Sequence, residues 1–252
     1  MTANHEMPRT VLVTSRPTRR SAGVTWIIAV SAVMALGLPR LAAATGVNLA
    51  WGTCVPNAGN DNRTFACDTD DAGAPFTLVM SFRSPISIAS FVGVQLVLDL
   101  CGGSSDLPNW WAFGSGECRS GSFTFPAPVA GIGTGCMDPW AGTQPGGGLI
   151  ISQRVCGGSA ASRIVMSYAT TGPSSVVAGD LVLAGVAAID QQRTIGGGAL
   201  CGGCDLPVCL VLESVEVFGY GGGEYAAITN QDARLSGAAG LRENLCRRRR
   251  SA

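Results

Sequence analysis

All ten cysteines of this 252-residue chain lie beyond residue 44, at positions 54, 67, 101, 118, 136, 156, 201, 204, 209 and 246. What precedes them reads as an export signal. Met1 to Arg20 is polar and carries four arginines, Val24 to Leu38 is apolar, and Pro39-Arg40 leads into Leu41-Ala42-Ala43-Ala44. A basic region, a short apolar core and a small-residue site make a secretory signal peptide, here residues 1–44. The apolar run is short against the ~20 residues that span a bilayer. Arg19-Arg20 is only a partial twin-arginine signal, and no cysteine stands at the cleavage point to carry a lipid. An even number of thiols in an exported chain reads as a disulfide framework. That framework is the strongest constraint on the fold. A glycine-rich chain of about 200 mature residues buries one core and relies on crosslinks to hold its loops.

The densest part of the framework is Cys201-Gly202-Gly203-Cys204-Asp205-Leu206-Pro207-Val208-Cys209. C-x2-C-x4-C fits half of a zinc site, a redox pair or a disulfide-tied turn. Zinc wants four Cys or His ligands, and the only histidine is His5, inside the signal peptide. A redox C-x-x-C opens a helix, whereas turn-forming residues surround this one and no helical pattern follows. The expectation is a disulfide-tied turn. Cys54, Cys67, Cys101, Cys118, Cys136, Cys156, Cys201, Cys204 and Cys209 are all disulfide candidates. Loop length favours the local pairs Cys54–Cys67 and Cys101–Cys118, although spacing does not fix connectivity. Cys-Gly-Gly recurs at 101, 156 and 201, as if several strands ended in a cysteine-anchored turn.

Between the cysteines the chain alternates rather than coils. Val47 to Trp51, Phe76 to Phe82, Phe91 to Leu100, Leu149 to Val155, Arg163 to Ala169, Leu181 to Ile189 and Leu210 to Phe218 read as strands. In Phe91 to Leu100, Val94, Leu96, Leu98 and Leu100 share one face, while Gln95 and Asp99 share the other. Leu181 to Ile189 is apolar on both faces, like a central strand. Leu210 to Phe218 keeps an apolar face only if a bulge sits near Glu213-Ser214. Short strands between Gly, Pro, Ser and Asn turns point to an all-β antiparallel sandwich, jelly-roll or cohesin/Ig-like, with long disulfide-tied loops. The long loops are Asn57 to Pro75 and Ser104 to Gly148, where binding residues usually sit. The sandwich is expected over residues 45–220. Residues 221–252, rich in glycine and ending in Arg247 to Arg250, read as a loosely ordered tail. Cys246 beside that run is either unpaired or paired between molecules.

Residue identity excludes several chemistries. No histidine remains after residue 44, which removes Ser-His-Asp and Cys-His catalysis. There is no lysine at all, which removes Schiff-base chemistry and the Walker lysine. Five arginines and Glu6 lie in the first 44 residues, leaving twelve arginines against sixteen acidic residues, a net of −4. The tail is basic, so the body is more acidic still, and an acidic body disfavours nucleic acid.

Three candidate sites remain. Asp68, Asp70 and Asp71, in Asp68-Thr69-Asp70-Asp71-Ala72-Gly73, could give oxygens to calcium. The loop lacks the EF-hand pattern, and Asp favours turns in any case. Trp110, Trp111 and Trp140 could stack on sugar rings if exposed, or fill the core. If Trp110-Trp111 were extended, their rings would point opposite ways. Asp106, Glu117 and Asp138 flank these tryptophans and could supply the carboxylate pair of a carbohydrate-active hydrolase. Apart from calcium, no cofactor is expected.

Leu107-Pro108-Asn109-Trp110-Trp111, Ala178-Gly179-Asp180-Leu181-Val182-Leu183 and the Cys201 to Leu212 stretch resemble a group of uncharacterised secreted bacterial cysteine-containing β-sandwich proteins. The resemblance covers most of Val47 to Phe218 and implies an exported sandwich without implying an activity. More loosely, the order of apolar strand, Ala-Gly-Asp and apolar strand is similar to cohesin-like and carbohydrate-binding-module-like sandwiches. Cohesins bind dockerins through a sheet face without catalysis, and they lack this density of cysteine.

The sequence therefore leads to a secreted, non-catalytic binding or structural module. Its expected ligand is an extracellular or cell-surface protein or glycan, with no membrane span in the mature chain. Two observations discriminate it from a hydrolase: convergent carboxylates beside the tryptophans, or a flat strand face with scattered apolar residues. Non-reducing peptide mapping should find at least three disulfides between Cys54 and Cys209; free thiols throughout would reject the export reading.

Overall fold

Nine strands form two antiparallel sheets, seen in a computed structural model that describes residues 46–54, 63–102, 106–126, 135–141, 145–195, 201–222 and 225–229. The expected signal peptide, Cys246 and the arginine run lie outside the described residues. The strands are β1 (Gly46–Trp51), β2 (Phe76–Arg83), β3 (Ile88–Gly102), β4 (Phe123–Thr124), β5 (Gly146–Cys156), β6 (Ser159–Val176), β7 (Leu181–Ile189), β8 (Val208–Gly219) and β9 (Tyr225–Thr229). One sheet runs β1-β2-β7-β4 and the other β5-β6-β3-β8-β9. No helix among the described residues is long and apolar enough to cross a membrane.

The alternation of β3 sets the second sheet. Val94, Leu96 and Leu98 lie opposite Tyr168, Met166 and Ile164 of β6. All six join one buried cluster with Val215 and Val217 of β8 and Leu78, Met80 and Phe82 of β2. Burying each such side chain is worth roughly 1.5–3 kcal/mol. The expected bulge on β8 is present. Val97 pairs with Ser214 but Leu98 with Leu212, so Glu213 is the extra residue and Leu212 and Val215 both stay buried. β7, apolar on both faces, sits between β2 and β4, and every residue from Val182 to Ala187 is buried.

The strands outrun their expected bounds in two places. β6 continues past Ala169 through Gly172-Pro173 to Val176, a stretch that reads as a turn. Proline is tolerated there because β5 has already ended, its last partner on β6 being Ala169. The chain expected as a tail from residue 221 instead supplies β9, whose Tyr225 to Thr229 pair with Phe218 to Ser214. Five residues flanked by glycines carry too short an alternation to stand out.

On the other face of β3, Asp99 is fully buried although it reads as a solvent-facing position. Arg163, directly opposite on β6, grips it in two parallel bonds of 2.8 and 2.9 Å from Nε and Nη2, and Arg154 of β5 pairs with the same carboxylate. The ion cluster ties three adjacent strands together. Both arginines are about one-third exposed and can reach water when the carboxylate is lost. Asp99→Asn is therefore expected to cost about 2–3 kcal/mol, read from denaturant unfolding with disulfides intact. Adding Arg163→Gln to it should cost less than the two single changes added together.

Candidate functional site

Four loops meet at one end of the sandwich: residues 63–75, 106–126, 190–195 and 201–207. Disulfides make the first ties. Cys118 bonds Cys201 and Cys67 bonds Cys204, so the short turn at 201–204 holds one loop with each sulfur. Cys54 bonds Cys136, and Cys101 bonds Cys156. Cys209 is also disulfide-bonded. No described cysteine is free. The disulfide-tied turn is thus the observed reading of C-x2-C-x4-C. The local pairs Cys54–Cys67 and Cys101–Cys118 are not formed. Loop-closure entropy favours near partners, but the fold brings together loops and strand ends that are distant in sequence, and the observed separations run from 55 to 137 residues. Each such loop is worth roughly 4–5 kcal/mol in the chain-entropy account. Four bridges also place the folding of this chain in an oxidising compartment. Cys101 and Cys156 end β3 and β5, as the Cys-Gly-Gly recurrence led one to expect; Cys201 lies in a loop instead. Gly203 at φ +92 is required at that turn, since a Cβ would stand 2.6 Å from Pro108.

Under the loops lies Arg119, the largest buried polar side chain. Its Nε donates to Gln192 O at 3.0 Å and Nη1 to Trp110 O at 3.2 Å. Nη2 donates to the Asp190 carbonyl and lies 3.4 Å from Asp190 Oδ1. The guanidinium stacks over the Trp110 ring, 3.8 Å from its centroid. Burial lowers the Arg119 pKa to about 10, with the Asp190 charge and hydrogen bond opposing the shift. The side chain has every feature of a clamp: all its polar atoms hold backbone or the one adjacent carboxylate.

The tryptophans are packed rather than presented. Trp110, Trp111 and Trp140 are 0%, 2% and 2% exposed, which corrects the expectation of sugar-stacking faces. Trp110 and Trp111 sit in a 3-10 turn, Asn109–Trp111, not on a strand. Adjacent rings there need not point opposite ways, and both go inward, 5.0 Å apart at 72°. Phe65 is the hub, within 4.5 to 5.7 Å of Trp51, Phe76, Trp110 and Trp111. Trp110 Nε1 donates to Thr194 Oγ1 at 2.9 Å, and Trp140 Nε1 to Leu183 O at 3.1 Å. Trp111 Nε1 has no hydrogen-bond partner among the described residues. Trp140 packs on Phe91 and Tyr168, away from the other two. Burial holds the Tyr168 hydroxyl well above the usual phenol range, and that hydroxyl donates to Pro126 O.

Two of the three acidic candidates, Asp70 and Asp71, hold backbone. Asp71 Oδ1 accepts from Gly73 N at 2.6 Å in an Asx turn. Asp70 Oδ1 accepts from Thr194 N at 3.1 Å, and Thr69 Oγ1 donates to Gln191 Oε1 at 2.7 Å, so this loop is docked on the 190–195 turn. Among the described residues, the Asp68 side chain makes no hydrogen bond or ion pair. Among the described residues, no three His, Cys, Asp or Glu side chains converge as metal ligands. The carboxylates beside the tryptophans are likewise engaged. Asp106 accepts from Ala160 N at 2.7 Å, Glu117 from Gly114 N at 2.6 Å, and Asp138 from Trp140 N at 2.9 Å.

Exposed aromatics appear elsewhere, on the outer face of the five-stranded sheet. Phe218 of β8 and Tyr225 of β9 are cross-strand partners with ring centroids 5.6 Å apart, 37% and 50% exposed. Phe218 lies opposite Gly93, Gly93 opposite Ala169, and Ala169 opposite Gly146, so a row of small residues, of which Gly93 is buried, runs across the sheet beside the pair. In the next row Gln95 faces Glu216. The Tyr225 phenol is raised above its usual range by loss of solvation first, then by the charge of Glu216 and the hydrogen bond to it. Phe218 is legible in the sequence as the outward residue ending an alternating run. Tyr225 lies in the stretch read as a tail, and no signal in it marks a strand.

Arg119→Met should cost about 3–5 kcal/mol, because it takes the guanidinium partner from Asp190 and from the buried Trp110 carbonyl. Arg119→Lys should recover only part of that, lacking the planar fork and stack. Denaturant unfolding of the oxidised variants reads both.

No protein-family model, curated protein or solved structure matches this chain, so its function is read from its own residues.

Proposed function

We propose that this chain is an exported binding or structural module without catalysis of its own, its ligand an extracellular protein or glycan. The carrying observation is the outer face of the five-stranded sheet: Phe218 and Tyr225 paired beside the small-residue row of Gly93, Ala169 and Gly146. A flat floor with a few exposed rings and a polar edge at Gln95 and Glu216 suits an extended ligand that brings either apolar side chains or sugar faces. Export is supported by the signal-like residues 1–44 and by the bridges. The acidic body supports a partner other than nucleic acid.

The hydrolase reading draws nothing from the geometry. Asp106, Glu117 and Asp138 each accept from a backbone N–H, and Trp110, Trp111 and Trp140 are buried.

Panels of extracellular glycans and proteins, probed with the oxidised protein, should yield a ligand whose binding falls at least about tenfold in the Phe218→Ala, Tyr225→Ala double variant. Both residues are exposed, so the variant should melt within a few degrees of the parent. Binding untouched by the double change would sink the placement on this face. Release of sugars from a polymer by the purified protein would sink the non-catalytic reading.

A further inference from the structure

β5 is an edge strand, eleven residues long, paired on one side to β6 through eleven consecutive residues without a register shift. Among the described residues, none pairs with its other side. Soluble proteins blunt such edges with lysine, proline, a bulge or a short strand. β5, Gly146-Gly147-Gly148-Leu149-Ile150-Ile151-Ser152-Gln153-Arg154-Val155-Cys156, has none of these. Its one charge, Arg154, is turned onto Asp99 and ion-paired there. Ile150 is 71% exposed on the outer face, and Leu149 and Ile151 are half-buried on the other.

The hydrogen-bond parity of the open edge follows from the hairpin. Gly157 and Gly158, at φ 57 and 92, form a two-residue turn that makes Cys156 and Ser159 a hydrogen-bonded pair. Even-numbered residues of β5 therefore bond to β6. The backbone groups of Gly147, Leu149, Ile151, Gln153 and Val155 point outward.

We propose that two copies of this chain join β5 to β5, antiparallel, about a two-fold axis at Ile150. The inference is independent of the ligand reading above. An antiparallel pair must match outward residues with outward residues. Centring on Ile150 meets that rule, with Leu149 opposite Ile151 of the second copy and Gly147 opposite Gln153. The two Ile150 side chains then meet as a non-hydrogen-bonded pair, the closer kind in such a ladder. This register puts every apolar residue of Leu149-Ile150-Ile151 against another. It sets Arg154 against Gly146, so no like charges confront each other. A two-fold contact is self-complementary and closes. Two five-stranded sheets become one of ten strands. A strand-to-strand line of ~25 Å falls short of a standard interface of ~1,600 Å², so the dimer is concentration-dependent.

Sedimentation of the full oxidised chain from about 1 μM to about 1 mM tests this. A reversible monomer–dimer equilibrium is expected, and Ile150→Lys should weaken it at least about tenfold by setting two cations face to face. Ile150→Glu should do the same alone, and an equimolar mixture of the two variants should restore a heterodimer. Ile151→Pro, which removes only an outward N–H, should also leave a folded monomer. A parent that stays monomeric at the highest concentration overturns the proposal. So do folded lysine and proline variants that dimerise like the parent, a mixture that stays monomeric, or species that grow without limit.

Discussion

The fold depends on covalent ties between segments distant in sequence. The turn at Cys201 and Cys204 reaches Cys118 in one long loop and Cys67 in another, closing separations of 83 and 137 residues. A chain with 35 glycines loses much backbone freedom on folding, and long loops have little secondary structure with which to offset it. The bridges shrink the unfolded ensemble instead of adding contacts to the folded one. Arg119 then finishes what the sulfurs begin. Buried and stacked on Trp110, it donates to the carbonyls of Trp110, Asp190 and Gln192, the first of which lies in the interior.

The same residue types serve structure here and chemistry in other proteins. Aspartates, tryptophans and an arginine crowd one end of the sandwich, a composition that invites a catalytic or binding reading. Atom by atom they are occupied. Asp70, Asp71, Asp106, Glu117 and Asp138 each accept a backbone N–H. The rings interlock around Phe65. The surfaces left open lie on the five-stranded sheet: the aromatic pair of Phe218 and Tyr225 toward β9, and the bare edge of β5 at the other side.

Period-two alternation made most of the sandwich legible. Leu181 to Ile189 is observed with the bounds its apolar run suggests, and the β8 bulge at Glu213 follows from the phase slip between Leu212 and Val215. Signals too short to carry a period were not legible: two residues at β4 and five at β9. The disulfide partners were hidden for a different reason. Spacing reports loop length, whereas pairing is decided by which strands become neighbours, and Cys101 meets Cys156 only because the β5–β6 hairpin lies along β3. The tryptophans misled because a 3-10 turn at Asn109–Trp111 obeys neither strand nor helix periodicity. Buried Asp99 broke the apolar-in, polar-out rule, and only its opposite number Arg163 on β6 explains it.

Sulfur bridges hold the tryptophan-bearing loop onto the end of the sandwich. Tryptophan emission of the native protein during stepwise reduction, without denaturant, tests it most directly. The account predicts blue-shifted emission in the oxidised protein and a red shift as Cys118–Cys201 and Cys67–Cys204 open, with water reaching Trp110 and Trp111. Emission and melting temperature unchanged after complete reduction would contradict it.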